Sequence, residues 1–274
     1  MQRNIRNWNL ELIVFLAVFL LYIIFYILDE LYPYYLGVKS IYSLIEFSYN
    51  KTLFPSPPKF SDGWHYYFGT SIFGINLLPA MLATLKLDLT LTFSSVFLAL
   101  LIGFIISFPG YYLRNRIYSK IIGLFNLSLF SMPYMVFILI LMYIIRPSIY
   151  GIIIGAGISW FPFYIRRLIN LKRPDGNLIY LIKYVFKKLI PYIFSDIGTM
   201  YAIINLILFF GIYTGNFLLV NLGTLMYING NGITYLSIGM WWVEMFPVIF
   251  LSLFVLSAHG LGYGIRRSGI YGKE

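Results

Sequence analysis

Leu89–Phe108 reads LTLTFSSVFLALLIGFIISF, a run of residues without a single charge. About 20 predominantly apolar residues are what a helix needs to cross the hydrocarbon core of a bilayer, where every backbone hydrogen bond must close within the segment. Working outward from this run, comparable stretches recur along the chain. Leu12–Leu28 precedes it, and Ile121–Ile145 follows. Ser148–Ile165 comes so soon after Arg146 and Pro147 that only a tight hairpin joins it to the run before. Pro191 opens a fifth stretch that ends near Tyr213, and Met245–Ile265 forms a sixth. With 60% apolar and 11% charged residues over 274 positions, the chain lies outside the balance of soluble domains. The expectation is an all-α integral membrane protein with six transmembrane helices, multi-pass in the cell membrane, with the lipid bilayer as its first partner.

Basic residues fall on alternate loops, and positive loops resist translocation, so the pattern orients the chain. With the amino terminus in the cytoplasm, the inner segments hold Arg3, Arg6, Arg114, Arg116, Lys120, Arg166, Arg167, Lys172, Arg173, Lys183, Lys187, Lys188, Arg266, Arg267 and Lys273, which is 15 of the 20 basic residues. The outer segments keep Lys39, Lys51, Lys59, Lys86 and Arg146 together with Asp29, Glu30, Glu46 and Asp62. Both termini are expected in the cytoplasm. The net charge of +10 is a topology signal, and nucleic acid is not an expected partner. The first apolar run is long and has no small-x-small cleavage site before Asp29, so it is expected to be a retained helix, not a signal peptide.

The segments between spans divide the chain. Residues 1–88 are expected to form an amino-terminal transmembrane helix followed by an extracytoplasmic loop, rich in Tyr, Pro and Ser and punctuated by Pro55-Ser56-Pro57-Pro58. Its second part, Trp64 to Leu87, has the aromatic content of a segment lying along the membrane interface. Residues 89–274 are expected to form a five-helix core. Within it, the uncharged run from Ile197 to Val243 is too long for one crossing and is broken by Gly211, Gly215, Asn216, Asn221, Gly223 and Asn229-Gly230-Asn231-Gly232. Two readings of residues 214–243 are open, a re-entrant outer segment at the mouth of a pathway and an ordinary apolar outer loop. Residues 166–190 form the one substantial cytoplasmic segment, with a strong turn signal at Pro174-Asp175-Gly176-Asn177. It reads either as a docking element for a cytoplasmic partner or as a plain positive-inside loop.

No catalytic constellation is visible. His65 and His259 each stand alone, without a second ligand at metal spacing, and no metal or cofactor is expected. Cysteine is absent, which excludes disulfides, thiolate zinc sites and iron–sulfur clusters. No Walker-type glycine loop is present, so ATP hydrolysis would have to come from a partner and the chain itself is not expected to be an enzyme. Ionisable residues at membrane depth are functional candidates by default. Only Asp196, one turn into the fifth stretch, and Glu244, at the outer edge of the sixth, come near, and both are expected to be solvated. The uncharged polar residues Asn126, Ser131, Thr199 and Asn205 either line a polar path or hydrogen-bond between helices.

Several short motifs recur in one order. Gly69-Thr70-Ser71-Ile72-Phe73-Gly74-Ile75-Asn76 is similar to a Gly-Thr-Asp-x-x-Gly-Arg-Asp element, with its three charged positions replaced by Ser71, Ile75 and Asn76. Met132-Pro133 looks like a Phe-Pro step, Phe161-Pro162-Phe163-Tyr164-Ile165-Arg166 like Trp-Pro-x-Tyr-x-Arg, and Ile190-Pro191 like Leu-Pro. Phe246-Pro247 followed by Gly262-Tyr263-Gly264-Ile265-Arg266 is similar to Phe-Pro followed by Gly-Asp-Gly-Leu-Arg. Over about three quarters of the chain these motifs resemble the permease subunits of the dipeptide/oligopeptide/nickel class of ABC importers, and among them the second of the two permease types.

The resemblance implies the type I importer permease architecture, a second homologous permease as partner, ATP-binding cassette subunits on the cytoplasmic side and an extracytoplasmic solute-binding protein. The solute implied is a small peptide, an oligosaccharide or a related molecule. It also implies a coupling element between the fourth and fifth spans. The family's Glu-Ala-Ala stretch is missing here, and Lys172, Arg173, Pro174, Asp175, Gly176, Asn177 and Tyr180 are the positions left to contact an ATPase. The alternative is a degenerate permease that serves as a non-transporting membrane scaffold in a complex.

Overall fold

Apolar periodicity becomes helix wherever the chain is described in the computed structural model, which covers residues 2–31, 56–61, 63–71, 76–145, 148–210, 221–228 and 239–268. We label the helices α1 (Gln2–Leu31), α2 (Leu77–Leu113), α3 (Arg116–Phe130), α4 (Tyr134–Ile145), α5 (Ile149–Ile169), α6 (Leu178–Phe209), α7 (Leu222–Ile228) and α8 (Trp241–Arg267), with a single 3-10 turn at Trp64–Tyr66. Among the described residues there is no strand, only an isolated bridge between Thr70 and Asn76. Among the described residues, five helices are long and apolar enough to cross a membrane: α1 through its segment Leu10–Leu28, α2, α5, α6 and α8. By helix length and composition the protein is an all-helical, multi-pass membrane protein.

The stretch expected as the third span forms two helices. The run Ile121–Ile145 breaks after Phe130, and α3 and α4 turn through 88° with respect to each other. Each is too short to cross alone, so a sixth crossing exists only if the bent pair counts as one. The break has a local cause. Pro133 has no N–H to continue the ladder, and the Ser131 hydroxyl donates to the Ser128 carbonyl at 2.6 Å, closing the end of α3 on itself.

Two other boundaries move. α2 begins at Leu77, so the expected interfacial segment ends there, and the division at residue 88 lies inside a helix of 37 residues, about 55 Å long. α6 begins at Leu178, which places Pro191 inside it, not at its start. The Asn177 side chain caps this earlier start by accepting from the Tyr180 N–H at 2.9 Å. Pro109, Pro162 and Pro247 also lie within helices, as lipid-embedded helices tolerate.

The chain divides into two compact units, one comprising Met1–Thr90 and Tyr201–Ala258, the other Leu91–Met200 and His259–Glu274. In the first unit, α1 packs against α8 by one face only. Phe19 stacks on Phe254 with centroids 5.6 Å apart, and the Tyr22 hydroxyl donates to the Phe250 carbonyl at 2.6 Å. Leu10, Ile13, Leu21 and Ile24 on α1 stay exposed, as lipid-facing positions should. Residues 63–71 fold onto the start of α8, where Trp242 Nε1 donates to the Thr70 carbonyl at 3.1 Å and Phe68 stacks on Phe246 at 4.2 Å.

In the second unit, α5 is the most enclosed helix. A Cβ on Gly157 would meet Leu98 of α2 at 2.8 Å, and one on Gly103 of α2 would meet the Tyr164 Cβ at 2.5 Å, so small residues let these two backbones approach. α4 packs on α5 through Met142 and Ile138, both fully buried beside Gly155. α3 keeps much of its apolar surface open, with Ile117, Ile121, Leu124 and Leu127 exposed.

Candidate functional site

In the first unit, polar side chains gather at the start of α7. The first N–H groups of a helix have no partner inside it, and burial makes that costly. Here three are satisfied by side chains from three parts of the chain. Leu222 N donates to Asp88 Oδ2 at 3.0 Å, Gly223 N to Asn205 Oδ1 at 2.9 Å, and Thr224 N to Asn221 Oδ1 at 2.7 Å. Asp88 and Asn205 are buried to within 1% of completeness, and Asn205 also donates from Nδ2 to the Tyr201 carbonyl at 3.0 Å. Gly223 is required by the close approach: a Cβ there would collide with the Asn205 carbonyl oxygen and meet the Leu208 Cβ at 2.8 Å. Asn205, expected to line a path or bond between helices, thus joins α6 to α7. Asp88 is a residue that sequence reasoning assigned to a loop edge.

Of the outer segment expected at 214–243, α7 and residues 239–243 are described, while Gly215, Asn216 and Asn229-Gly230-Asn231-Gly232 lie outside the described residues. So do Gly211, Arg146 and Pro147, and the side chain of His65. Glu244 stands in the first turn of α8, half-buried.

In the second unit, the expectation that Asp196 is solvated is corrected. Its carboxylate is 3% exposed and forms a two-pronged ion pair with the Arg167 guanidinium, through Nη1 to Oδ2 and through Nη2 to Oδ1 at 2.9 Å. The fork of Arg matches a carboxylate in this geometry, and its face lies 4.6 Å from the Tyr192 ring centroid and 5.2 Å from that of Tyr164. Arg266 reaches the same Tyr192 ring at 5.1 Å. The helices α5, α6 and α8 are joined here by charge and aromatic faces. Thr199, another expected path residue, donates to the Ser195 carbonyl at 3.1 Å and lies 3.2 Å from His259 Nε2.

The two remaining path residues are not brought together. Asn126 is buried on α3 with its Oδ1 lacking a hydrogen-bond partner, and Ser131 is exposed at the break after α3.

Residues 170–177 connect α5 to α6 without a helix of their own. Asp175 is 95% exposed and pairs with Arg114, which itself sits at φ 52° in the turn between α2 and α3. Tyr111 donates to the Lys172 carbonyl at 3.4 Å, and the Arg173 guanidinium lies 5.6 Å from the Tyr112 ring. Pro174 is half-buried, Gly176 lies against the Tyr180 ring, and Asn177 caps α6. The expected coupling residues are thus contiguous, mostly exposed, and tied to the carboxyl end of α2. Beside them opens a cavity of about 680 Å³ between α5, α6 and the connector.

No protein-family model matches the chain, and no curated protein matches its sequence.

Proposed function

We propose that this chain is the membrane-spanning permease subunit of an ATP-driven importer, forming half of a translocation pathway for a small peptide, an oligosaccharide or a related solute. The observation that carries this reading is that two motif positions read separately along the sequence, Gly262 and Pro191, pack against each other, and that other motif positions lie in close contacts. Gly262 meets Pro191 and Ser195: a Cβ on Gly262 would stand 2.5 Å from the Pro191 carbonyl oxygen. Thr70 accepts from Trp242, and Phe68 stacks on Phe246 one residue before Pro247. Gly69 adopts φ +74°, and a Cβ there would lie 2.6 Å from the Ser56 carbonyl oxygen. A family pattern retained for packing reasons is expected to behave in this way.

In this reading the amino and carboxyl termini and the connector 170–177 face the cytoplasm. ATP hydrolysis belongs to cassette subunits that contact Lys172 to Tyr180, a second permease completes the pathway, and a solute-binding protein delivers the solute from outside. Closure of the ATPase pair would move the connector, and α5 and α6 would carry the movement into the membrane. The second reading, a non-transporting scaffold, is favoured by one specific observation: the connector contains no helix to seat in an ATPase.

The test is purification of the intact protein from its native membrane beside a variant in which 172–180 is a Gly-Ser linker, with ATP hydrolysis measured in both. An ATPase recovered with the intact chain and lost with the variant supports the importer. No ATPase with either overturns it in favour of the scaffold.

A further inference from the structure

The cavity between α5, α6 and the connector has a charge imbalance that the permease reading does not use. Four cations line it, Arg166, Arg167, Lys172 and Lys188. Arg167 is neutralised by Asp196, which leaves three without a carboxylate partner among the described residues. Arg166 has its guanidinium 5.7 Å from the Phe130 ring, Lys188 its ammonium 6.0 Å from the Tyr184 ring, and Lys172 is exposed. Tyr184 and Tyr192 form aromatic walls.

Like charges are not gathered around a concavity without cost, and a single carboxylate would balance only one of the three. An Arg fork beside two ammonium groups matches phosphoryl oxygens, and a volume of about 680 Å³ lies in the range of small-molecule sites, well beyond one ion. Basic pockets between membrane helices take phosphate headgroups by the same chemistry.

We propose that this cleft binds a ligand bearing two phosphoryl groups, with Arg166 as the planar fork, Lys172 and Lys188 as point charges, and Tyr184 and Tyr192 as the walls beside them. The phosphoryl groups come either from a lipid headgroup with two phosphates or from a soluble diphosphate. Lys172 is shared with the stretch assigned to ATPase contact, but binding in the cleft requires neither solute transport nor a particular side of the membrane.

The experiment is native mass spectrometry of the purified full chain in detergent, titrated separately with cardiolipin, inorganic pyrophosphate and phosphatidylcholine. The triple variant Arg166→Gln, Lys172→Gln, Lys188→Gln leaves the Arg167–Asp196 pair intact. The control Arg116→Gln, Lys120→Gln, Lys183→Gln removes as many charges from exposed positions outside the cavity. The single change Lys172→Glu, at an exposed position, covers failure of the triple variant to fold. One equivalent of cardiolipin or pyrophosphate is expected to bind, at least tenfold more weakly to the triple variant and to Lys172→Glu, and within twofold unchanged in the control. Cardiolipin binding without pyrophosphate binding assigns the lipid source, and pyrophosphate binding the soluble one. Failure of both probes, equal binding of phosphatidylcholine, or equal weakening in the control overturns the proposal.

Discussion

Arg167 and Asp196 form a pair whose value lies in being complete. Two charges withdrawn from water stabilise a fold little in net terms, but deleting one leaves the other buried and uncompensated, at about 3–5 kcal/mol. Asp196→Ala is therefore expected to lower the thermal midpoint of the detergent-solubilised protein sharply. The joint replacement Arg167→Met, Asp196→Leu is expected to recover most of that loss, and differential scanning fluorimetry of the two variants checks both. Asp88 differs in kind, because its role is to accept the first N–H of α7. Asp88→Ala strands a buried donor, which costs about 1–3 kcal/mol, and is expected to be felt locally. Hydrogen exchange across 221–228 should accelerate while the peptide covering α5 keeps its protection. Sequence reasoning found neither role. Asp196 carries no mark in the chain to say that Arg167, 29 positions earlier, lies within hydrogen-bond distance, and Asp88 sits where a turn and a helix look alike.

Helix ends are where local chemistry is most legible. Asn115 follows Arg114, and its Oδ1 accepts from the N–H groups of Ile117 and Tyr118 at 3.0 and 3.1 Å, a full cap for α3. Asn115→Ala is expected to cost about 1 kcal/mol. Arg114 holds a left-handed backbone that glycine adopts freely, and its exposed pairing with Asp175 contributes little. Arg114→Gly is accordingly expected to leave stability within about 1 kcal/mol of the starting protein, and thermal unfolding of both variants in one detergent checks the contrast. Between elements, the approach of α8 to α6 depends on Gly262, which faces the Pro191 carbonyl and the Ser195 hydroxyl. Gly262→Leu forces the helices apart and is expected to destabilise by about 1–3 kcal/mol, or to prevent accumulation in the membrane, which quantitative immunoblotting of membranes would show.

At the scale of the whole molecule, topology is the property most exposed to test. With the termini inside, Gly176→Cys should react with a membrane-impermeant thiol reagent only in inverted vesicles, and Asn231→Cys only in intact cells. The native chain has no cysteine to interfere. Labelling of either from the opposite side overturns the orientation drawn from the basic residues. Membrane residence and helical class were determined by the sequence alone, because lipid leaves the backbone one way to satisfy itself within a segment and the apolar runs measure the bilayer directly. The turn at Pro174-Asp175-Gly176-Asn177 was legible because its chemistry acts on neighbours along the chain; Pro133 and Ser131 act as locally at the break after α3, but the reading of one span over Ile121–Ile145 passed over them. The continuation of α2 and α6 beyond their uncharged runs, and the partners of Asp88, Asn205 and Asp196, were decided only by the tertiary structure. A proline in a membrane helix can open, kink or interrupt it, and a carboxylate can face water or an arginine. Which occurs depends on what the fold brings alongside, and that is a matter of packing between segments distant in sequence.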